Sequence, residues 1–429
     1  MSEKRVLFLP INVLSSITRQ IMCARAFQRQ GYSVFFAGQG NYLKMAADEG
    51  FPLRELASTD PRRLVDRLRG VEKRLSSFLQ FARWAWREID LEAQTRQEVA
   101  LLRELRPQMV ISEERVTAVL SARIAAVAHA SLRNAYRTPF SVFPLLDLSG
   151  TFIGRLIPDP GQAQAKVLRF FSAPFIWRMN RVLRSHGIRE TLDFDGYVAS
   201  DHLVFLCDVP EFSPAGILPA NHQYVGPVYW RNGGGQPPWV DKLPPSKRLI
   251  YVSLGSTGTP ELLELLIQAL RGRGFTLVVT YGESLAGEQS GKAEPGVFCE
   301  SFLNPQAILE RAAAVICHAG NGTIYQALAS GVPLIGIPTH LDQRFNARRL
   351  EALGLGRMLD LKQLRSDPGV LLRTLNELRS DRSVRENVRR FQRRIQSFNA
   401  PERVVELTEA FLSGKEGSRQ GRERITGSV

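Results

Sequence analysis

The sequence predicts an α/β fold in which two parallel-sheet halves follow one another along the chain, and three observations support this prediction. The chain has 429 residues, a length that suits two or three domains of ordinary size. Apolar runs rich in β-branched residues alternate with longer stretches of helical spacing, as expected for buried parallel strands joined by helices. The alternation stops over residues 210–247, where Pro and Gly are frequent, and then starts again.

The first half opens with the apolar run RVLFL and continues with short runs of the same kind. Each run suits a strand and is too short for a typical helix, while helical spacing fills two of the gaps between runs. The predicted strands are residues 5–9, 33–37, 108–112 and 202–206, and the predicted helices are residues 18–30 and 117–128.

The second half repeats the alternation more regularly, which indicates a doubly wound parallel sheet. The predicted strands are residues 249–254, 275–280, 314–317 and 333–337, and the predicted helices are residues 261–270, 305–312 and 323–329. A last helix over residues 401–412 is expected to cross back to the first half. The polar, Gly-rich residues 414–429 are predicted to be disordered.

The composition narrows the class of protein. Hydrophobic residues make up 44% and charged residues 23% of the chain, which excludes disordered, collagen-like and disulfide-stapled classes. No apolar run reaches the roughly 18–20 residues that a membrane-spanning helix needs. The N-terminus shows no secretory signal, and the four cysteines form no CxxC pair. A cytoplasmic location without a zinc or redox site is therefore expected.

The chain is basic, with 56 Lys and Arg against 42 Asp and Glu and a net charge of +14. Residues 161–189 contain six Lys and Arg and no acidic residue, and they interleave these with Phe and Trp. Such a stretch predicts peripheral attachment to an anionic membrane. A solvated helix face with an ordinary core side is the equally open alternative. No nucleic-acid-binding motif is present, so nucleic acid is not an expected partner.

The most informative segment is residues 317–346, in which a predicted strand leads directly into His318-Ala-Gly-Asn-Gly-Thr323 and a helix. Gly320 and Gly322 allow a sharp bend and close approach of a ligand. The first amides of the helix point outward and favour an anion such as a diphosphate. His318 and Thr323 can add hydrogen bonds, and a tight turn with Gly for geometry alone is the alternative. The segment lacks a third Gly and a Gly-Lys-Ser/Thr, which argues against NAD binding and against ATP hydrolysis.

Several motifs in this half together resemble the donor-binding signature of the UDP-glycosyltransferase superfamily, whose bacterial members include macrolide and lipid glycosyltransferases. The core is His-x-Gly-x-Gly-Thr at residues 318–323, followed by Gly-Val-Pro, Asp-Gln and Asn-Ala. VSLGST at residues 252–257, NPQ at residues 304–306 and VGPVYW at residues 225–230 lie in the matching order. The resemblance is dense from about residue 225 to residue 356.

The resemblance implies the GT-B fold, with two Rossmann-like, doubly wound domains facing a central cleft. It implies an inverting transferase that needs no metal and no cofactor beyond its nucleotide-sugar donor. The expected divisions of the chain are an acceptor domain at residues 1–228, a linker at 229–247, a nucleotide-sugar domain at 248–400, a returning helix at 401–413 and a tail at 414–429.

Carried over residue by residue, the resemblance assigns the diphosphate to His318 and the amides near it, and the sugar hydroxyls to Asp342 and Gln343. Leu303 stands where many relatives place an aromatic residue over the base, and Gln326 stands where a Glu usually binds the ribose. A loop cap is the alternative role for Asp342 and Gln343. The implied nucleotide-sugar-binding residues are Gly255, Ser256, Thr257, Leu303, Gln306, His318, Gly320, Asn321, Gly322, Thr323, Gln326, Asp342 and Gln343.

The pattern fails at the general base, since inverting relatives usually carry Gly-His-x-x-Pro in the first strand–helix loop. Here Ser15 and Ser16 align with that Gly-His, and Ser16 alone is no base. Glu113, just past the strand at residues 108–112, is the best substitute, because ligands in such sheets bind at the carboxyl ends of strands. An acid at a helix N-terminus, or a partner of Arg115, is an equally open reading of Glu113.

Three further acidic candidates are weaker. Glu114 and Asp147 are less well placed than Glu113 for a base. Asp193-Phe194-Asp195 mimics a DxD metal motif but lies in the wrong half, so surface acids are expected there.

The sequence therefore predicts a cytoplasmic, inverting, metal-independent glycosyltransferase. It is expected to transfer a sugar from a UDP- or TDP-sugar to a hydroxyl of a hydrophobic or lipid-like acceptor. Peripheral contact with the inner face of an anionic membrane goes with this prediction. A UDP-sugar epimerase and a non-catalytic sugar-nucleotide-binding partner of another transferase are the alternatives.

Overall fold

The computed structural model forms two compact units. It describes residues 3–57, 89–143, 145, 156–157, 159–198, 200, 202–231, 237–241, 243, 248–255, 259–281, 296–301 and 303–426. The first unit comprises Met1–Val228 together with Asn399–Val429, and the second comprises Tyr229–Phe398.

A seven-stranded parallel sheet is the centre of the first unit, with the strand order β3-β2-β1-β4-β5-β6-β7. Its strands are β1 (Arg5–Leu9), β2 (Ser33–Gly38), β3 (Leu53–Glu55), β4 (Met109–Ser112), β5 (Ala128–Arg133), β6 (Leu203–Leu206) and β7 (His222–Tyr224). Strand β1 pairs with β2 on one side and with β4 on the other. The order reverses between β1 and β4, and in doubly wound sheets ligands bind beside such a reversal.

Helices cover this sheet, and their buried apolar faces explain where they form. The helices are α1 (Leu14–Arg29), α2 (Lys44–Asp48), α3 (Leu91–Leu105), α4 (Ala118–Ala125), α5 (Pro160–Ser185) and α6 (Phe194–Val198). Asp90 and Asp159 cap α3 and α5, since their carboxylates accept from Ala93 N at 2.9 Å and Gln162 N at 2.7 Å.

Two boundaries of the helices predicted within residues 1–228 differ from the structure by three or more residues. Helix α1 begins at Leu14 rather than near residue 18, because Ile17, Ile21 and Ala24 form one buried stripe that reaches back through the first turn. Helix α4 ends at Ala125, and Ala126 takes a left-handed conformation with φ 56° before β5 starts. The predicted helix over 117–128 is therefore too long at its end, since AHASLR shows no clear strand pattern.

A six-stranded parallel sheet is the centre of the second unit, with the strand order β10-β9-β8-β11-β12-β13. Its strands are β8 (Leu249–Ser253), β9 (Thr276–Thr280), β10 (Val297–Glu300), β11 (Ala314–Cys317), β12 (Leu334–Gly336) and β13 (Gly356–Met358). The helices are α7 (Pro260–Leu270), α8 (Gln306–Leu309), α9 (Asn321–Ala329), α10 (Leu341–Ala352), α11 (Leu361–Ser366), α12 (Gly369–Ser380) and α13 (Arg382–Gln396). Here the order reverses between β8 and β11.

The C-terminal helix α14 (Ala400–Thr426) belongs to the first unit, where it packs along α1. Lys4 Nζ lies 2.9 Å from Glu409 Oε1, and Arg29 pairs with Glu402. The sequence predicts disorder from residue 414, whereas the helix continues to Thr426. Lys, Glu, Gln and Arg dominate this extension and are good helix formers, which offsets its three Gly and one Ser.

Among the helices that the structure describes, none has a stretch long and apolar enough to cross a membrane.

Candidate functional site

The loop after β11 contains the strongest part of the predicted donor site. Strand β11 is fully buried, and His318 follows it at the carboxyl end of the sheet. Ala319 then takes a left-handed conformation with φ 64°, and Gly320 is the N-cap of α9 in extended conformation. The helix thus begins at Asn321, two residues before the predicted start. Thr323 is therefore its third residue and not its cap.

The imidazole of His318 fills the space beside two glycines. A Cβ atom added to Gly320 would lie 2.3 Å from His318 Nε2, and one added to Gly255 would lie 2.7 Å from His318 Cε1. Gly255 also has φ 58°, a conformation that other residues rarely adopt. These two glycines admit the histidine ring, which is a role for Gly320 in addition to the sharp bend that the sequence predicts.

Gly322 differs from these two glycines. A Cβ atom added there would meet nothing within 4 Å, so the first turn of α9 is open on this side. The N-cap residue Gly320 has no side chain that could cap α9, and the first amides of a helix have no acceptor within the helix itself. This arrangement suits a bound anion.

His318 is held as a neutral imidazole. Its Nδ1 lies 3.4 Å from the carbonyl oxygen of Ser253, and because a carbonyl can only accept, Nδ1 carries the proton. Burial lowers the pKa of His318 to about 4, with the Ser253 carbonyl opposing this shift and the charges of His340 and Asp342 acting in opposite directions. The ring therefore presents an unprotonated Nε2 at neutral pH.

Asn346 on α10 holds the left-handed turn in place. Its side-chain Nδ2 donates to the Ala319 carbonyl at 3.1 Å, and Asn346 is only 1% exposed. Sequence reasoning counted this residue in the signature but gave it no role. A polar residue between Phe345 and Ala347 on a buried helix face is the signal that could have identified it.

Two other predicted donor residues are engaged within the protein. Gln326 donates from Nε2 to the Trp230 carbonyl at 3.1 Å. Gln343 is buried, and its Oε1 accepts from Thr339 N at 2.8 Å and His340 N at 3.3 Å. The contacts of Gln343 are thus those of the loop cap that the sequence left open, and Asp342 lies beside it in the first turn of α10.

Each of the remaining predicted donor residues is at least half-buried, is bonded to a neighbouring side chain or lies outside the described residues. Leu303 is 4% exposed, so little of its side chain is available to stack on a base. Gln306 is exposed and donates from Nε2 to Glu310 at 3.0 Å. Asn321 is half-buried at the first position of α9, and Ser256 and Thr257 lie outside the described residues.

Glu113 lies at the carboxyl end of β4 in the first unit, within a buried polar cluster. Arg19 Nη1 is 2.7 Å from Glu113 Oε1 and 2.9 Å from Asn134 Oδ1, and all three residues are at most 7% exposed. Neither alternative for Glu113 holds: Arg115 pairs with Glu98 at 2.6 Å, and α4 begins five residues after Glu113.

Among the described residues of this unit, the buried Glu98 and Glu113 differ in the number of hydrogen bonds that their carboxylates accept. Glu98 accepts from Arg115, Thr117 and Ser121. Glu113 accepts from Arg19 alone, and its Oε2 is buried with no hydrogen-bond partner among the described residues. Burial raises the pKa of Glu113 to about 7, while the charge of Arg19 acts to lower it. A carboxyl group of this kind can exchange a proton near neutrality.

Ser16 lies within helix α1 and not in the strand–helix loop, where the resemblance places the usual Gly-His. It lies in the first turn of α1, is buried, and accepts from Gln20 Nε2 at 3.2 Å. No hydrogen bond among the described residues joins Ser16 to Glu113, so the two do not form a pair that would activate the hydroxyl.

The other acidic candidates that the structure describes make contacts within the protein. Glu114 has φ 58° and pairs with Arg137, and Asp147 lies outside the described residues. Asp193 Oδ1 accepts from Gly196 N at 2.8 Å, and Asp195 Oδ2 lies 3.0 Å from Arg169. Within the described ranges, no group of three or more His, Cys, Asp or Glu could hold a metal ion.

Comparison with known proteins identifies the family. Residues 276–411 match the model of the erythromycin biosynthesis protein CIII-like, C-terminal domain. The chain is 31% identical over 376 residues to a PGL/p-HBAD biosynthesis rhamnosyltransferase of Mycobacterium bovis (strain BCG / Pasteur 1173P2), covering 85% of this chain and 78% of that protein. The chain belongs to the bacterial UDP-glycosyltransferase family. The predicted family and enzyme class are thus confirmed, and the protein is a glycosyltransferase.

Solved structures confirm the fold of this glycosyltransferase. The calicheamicin glycosyltransferase CalG4 is 22% identical, with a TM-score of 0.71 over 96% of this chain and 99% of that one. The glycosyltransferase VinC in complex with DTDP is 17% identical, with a TM-score of 0.70 over 95% and 99% of the two chains. Together with the two parallel sheets, these likenesses establish the predicted GT-B fold.

The role of Asn346 can be tested by substitution. Asn346→Ala leaves the buried Ala319 carbonyl without its donor, which should cost about 1–3 kcal/mol of unfolding free energy. It should also weaken nucleoside diphosphate binding about tenfold, because the turn between His318 and α9 loses its support. Chemical denaturation and calorimetric titration measure the two effects.

Asn387→Ala is the matched control, since Asn387 donates to the Gly354 carbonyl at 3.4 Å in the same unit but away from this loop. It should lower stability and leave nucleotide affinity unchanged. Equal losses of affinity in both variants would contradict the positioning role of Asn346.

Proposed function

We propose that this glycosyltransferase takes its sugar from a UDP- or TDP-sugar and transfers it, with inversion, to a hydroxyl of a hydrophobic or lipid-like acceptor. The donor assignment depends on the N-terminus of α9 beside His318, which is open at Gly322 and has the glycine Gly320 as its N-cap. The name of the mycobacterial relative favours a rhamnosyl donor. The DTDP in the VinC structure favours TDP as the carrier.

The leaving group in this reaction is a nucleoside diphosphate, which needs positive charge as the sugar departs. The dipole of α9 and the amides of its first turn supply part of that charge. His318 supplies more if it takes up a proton on binding, since a nearby phosphate raises the pKa of an imidazole. Its Nε2 would then donate to a phosphate oxygen. These groups would make the reaction independent of a metal ion.

The acceptor hydroxyl attacks the anomeric carbon as the bond from that carbon to the diphosphate oxygen breaks. The hydroxyl loses its proton in this step, and we assign the proton to the Glu113 carboxylate. A pKa of about 7 for Glu113 suits this task. Ser16 is left without a direct role in proton transfer, because its hydroxyl is buried against Gln20.

The two alternatives are less well supported. A UDP-sugar epimerase needs no acceptor, and a non-catalytic partner needs no base, whereas the mycobacterial relative is a named transferase. A lipid-like acceptor would bring the enzyme to a membrane surface, so we propose that it works in the cytoplasm at the inner face of the membrane.

The donor assignment predicts that TDP or UDP raises the melting temperature of the protein and that His318→Ala removes most of this effect. Loss of a charge-assisted hydrogen bond should weaken binding roughly tenfold to a hundredfold. In the wild type, affinity should fall as pH rises from 6 to 8.5, because binding takes up a proton, and it should vary less in the variant. Calorimetric titration across this range, with GDP and ADP for comparison, measures both.

His222→Ala is the matched control. His222 is a buried histidine of the first unit, and burial likewise lowers its pKa to about 4. This variant should lose stability and keep the nucleotide affinity and its pH dependence. An unchanged affinity in His318→Ala would refute the phosphate assignment.

The base assignment predicts that Glu113→Gln lowers kcat by about 10²–10⁴ with donor affinity intact. The rate of the wild type should rise with pH up to about 7 as Glu113 loses its proton, and this limb should vanish in the variant. Steady-state rates between pH 5.5 and 9 test the claim.

Glu98→Gln removes the other buried, arginine-paired carboxylate of the same unit. We expect it to destabilise the fold and to keep the acidic limb of the pH profile. Near-wild-type turnover in Glu113→Gln would rule Glu113 out as the base.

A further inference from the structure

Helix α5 has two apolar faces, and the core uses only one of them. Its inner face contributes Val167, Phe175 and Met179 to the interior. On the outer face, Phe170 is 75% exposed and Trp177 is 55% exposed. The spacing of seven residues places both aromatic rings on one line along the helix.

Basic residues extend the same line at both ends. Lys166 precedes Phe170 by four residues, and Arg181 and Arg184 follow Trp177 by four and seven. All three are exposed, and none has an ion pair among the described residues. The outer face of α5 is thus an aromatic centre between cationic ends.

Exposed apolar side chains continue beyond α5. Within the described part of the chain, all the large hydrophobic residues that are exposed lie in the first unit, between residues 142 and 217. They are Val142, Phe143, Leu156, Phe170, Trp177 and Ile217.

Backbone contacts bring the outlying members of this set to the start of α5. Val142 N donates to the Pro214 carbonyl at 3.0 Å, which joins the loop of Val142 and Phe143 to the loop of Ile217. A Cβ atom added to Gly161 would lie 3.0 Å from the Ser141 carbonyl, so the first turn of α5 touches the same loop. A groove of about 560 Å³ lies beside Trp177 at the other end. Its walls are mixed, since Ala173 and Phe194 line it together with Asp193 and the Arg169–Asp195 ion pair.

We infer that the outer face of α5 and the loops at residues 141–143 and 215–217 form a surface that docks on an anionic lipid bilayer. Aromatic residues favour the boundary between headgroups and acyl chains, and flanking Lys and Arg attract anionic headgroups. The inference deepens the proposed function, on which it rests for the lipid-like acceptor, but its contacts do not involve the donor site.

The basic helix α13 has exposed positive charge but no exposed apolar face. It carries several exposed arginines, but its apolar residues Val384, Val388, Phe391 and Ile395 are all buried. Arg389 and Arg393 are exposed on it as Arg181 and Arg184 are on α5. The chain therefore offers two pairs of arginines that differ in their apolar surroundings.

The test is flotation of the full-length protein with vesicles of phosphatidylcholine alone and of phosphatidylcholine mixed equally with phosphatidylglycerol. The wild type should float with the anionic vesicles only, and less so as salt is raised. Arg181→Gln with Arg184→Gln should lower the partition coefficient roughly twentyfold, at about fivefold for each arginine. Arg389→Gln with Arg393→Gln removes the same charge and should lower it less than twofold.

Phe170→Ser with Trp177→Ser should lower partitioning at least tenfold without changing net charge. Stabilisation by TDP or UDP shows that each variant is folded, and it separates failure of this surface from failure of the donor assignment. Equal losses in the two arginine pairs, or unchanged binding in the aromatic variant, would overturn the inference. So would a concentration-dependent dimer that the aromatic variant abolishes, because a second copy would then be the occupant.

Discussion

The contact between the His318 ring and two glycines is the constraint on which the donor half depends. The ring occupies the space that side chains at Gly255 and Gly320 would need, so strand end, loop and helix start are fixed relative to one another. The left-handed turn at Ala319 has an energetic cost, which the buried hydrogen bond from Asn346 offsets. With the turn fixed, the first turn of α9 is open beside Gly322, where we propose that the diphosphate binds.

The first unit holds the carboxylates of Glu98 and Glu113 in its interior. Isolated charges are costly in an interior, and Glu98 meets this cost with three donors. Glu113 has one donor and an oxygen that none of the described residues satisfies. A structural carboxylate would gain from further donors, so the deficit at Glu113 is consistent with a group that exchanges a proton. The charge of the neighbouring Arg19 opposes the rise in the pKa of Glu113 that burial causes.

The sequence was sufficient for the fold and for the family because both depend on features that are local in the chain. Many of the buried parallel strands appear as short apolar runs, and β1 and β11 have the predicted bounds, whereas β5 has no such run. The donor signature lies within one strand–loop–helix segment. The starts of α1 and α9 were missed by a few residues, because propensity does not fix the first turn of a helix that packing supports.

The partners of the polar residues could not be predicted, because they depend on contacts between distant segments. Glu113 bonds to Arg19, 94 residues away, and not to its near neighbour Arg115. Asn346 donates to the Ala319 carbonyl across the loop. The side-chain oxygen of Gln343 accepts the hydrogen bonds of a helix cap, and a sequence motif alone could not distinguish this cap from a sugar contact.

The protonation of His318 in the presence of nucleotide is the measurement that tests the account most directly. The chain has six histidines, so NMR of protein labelled with ¹⁵N in its imidazole rings can follow each one, with His318→Ala to assign the signal. The account predicts a neutral ring with the proton on Nδ1 in the free protein at pH 7, and an imidazolium when TDP or UDP is bound. A ring that stays neutral in the saturated complex would contradict it.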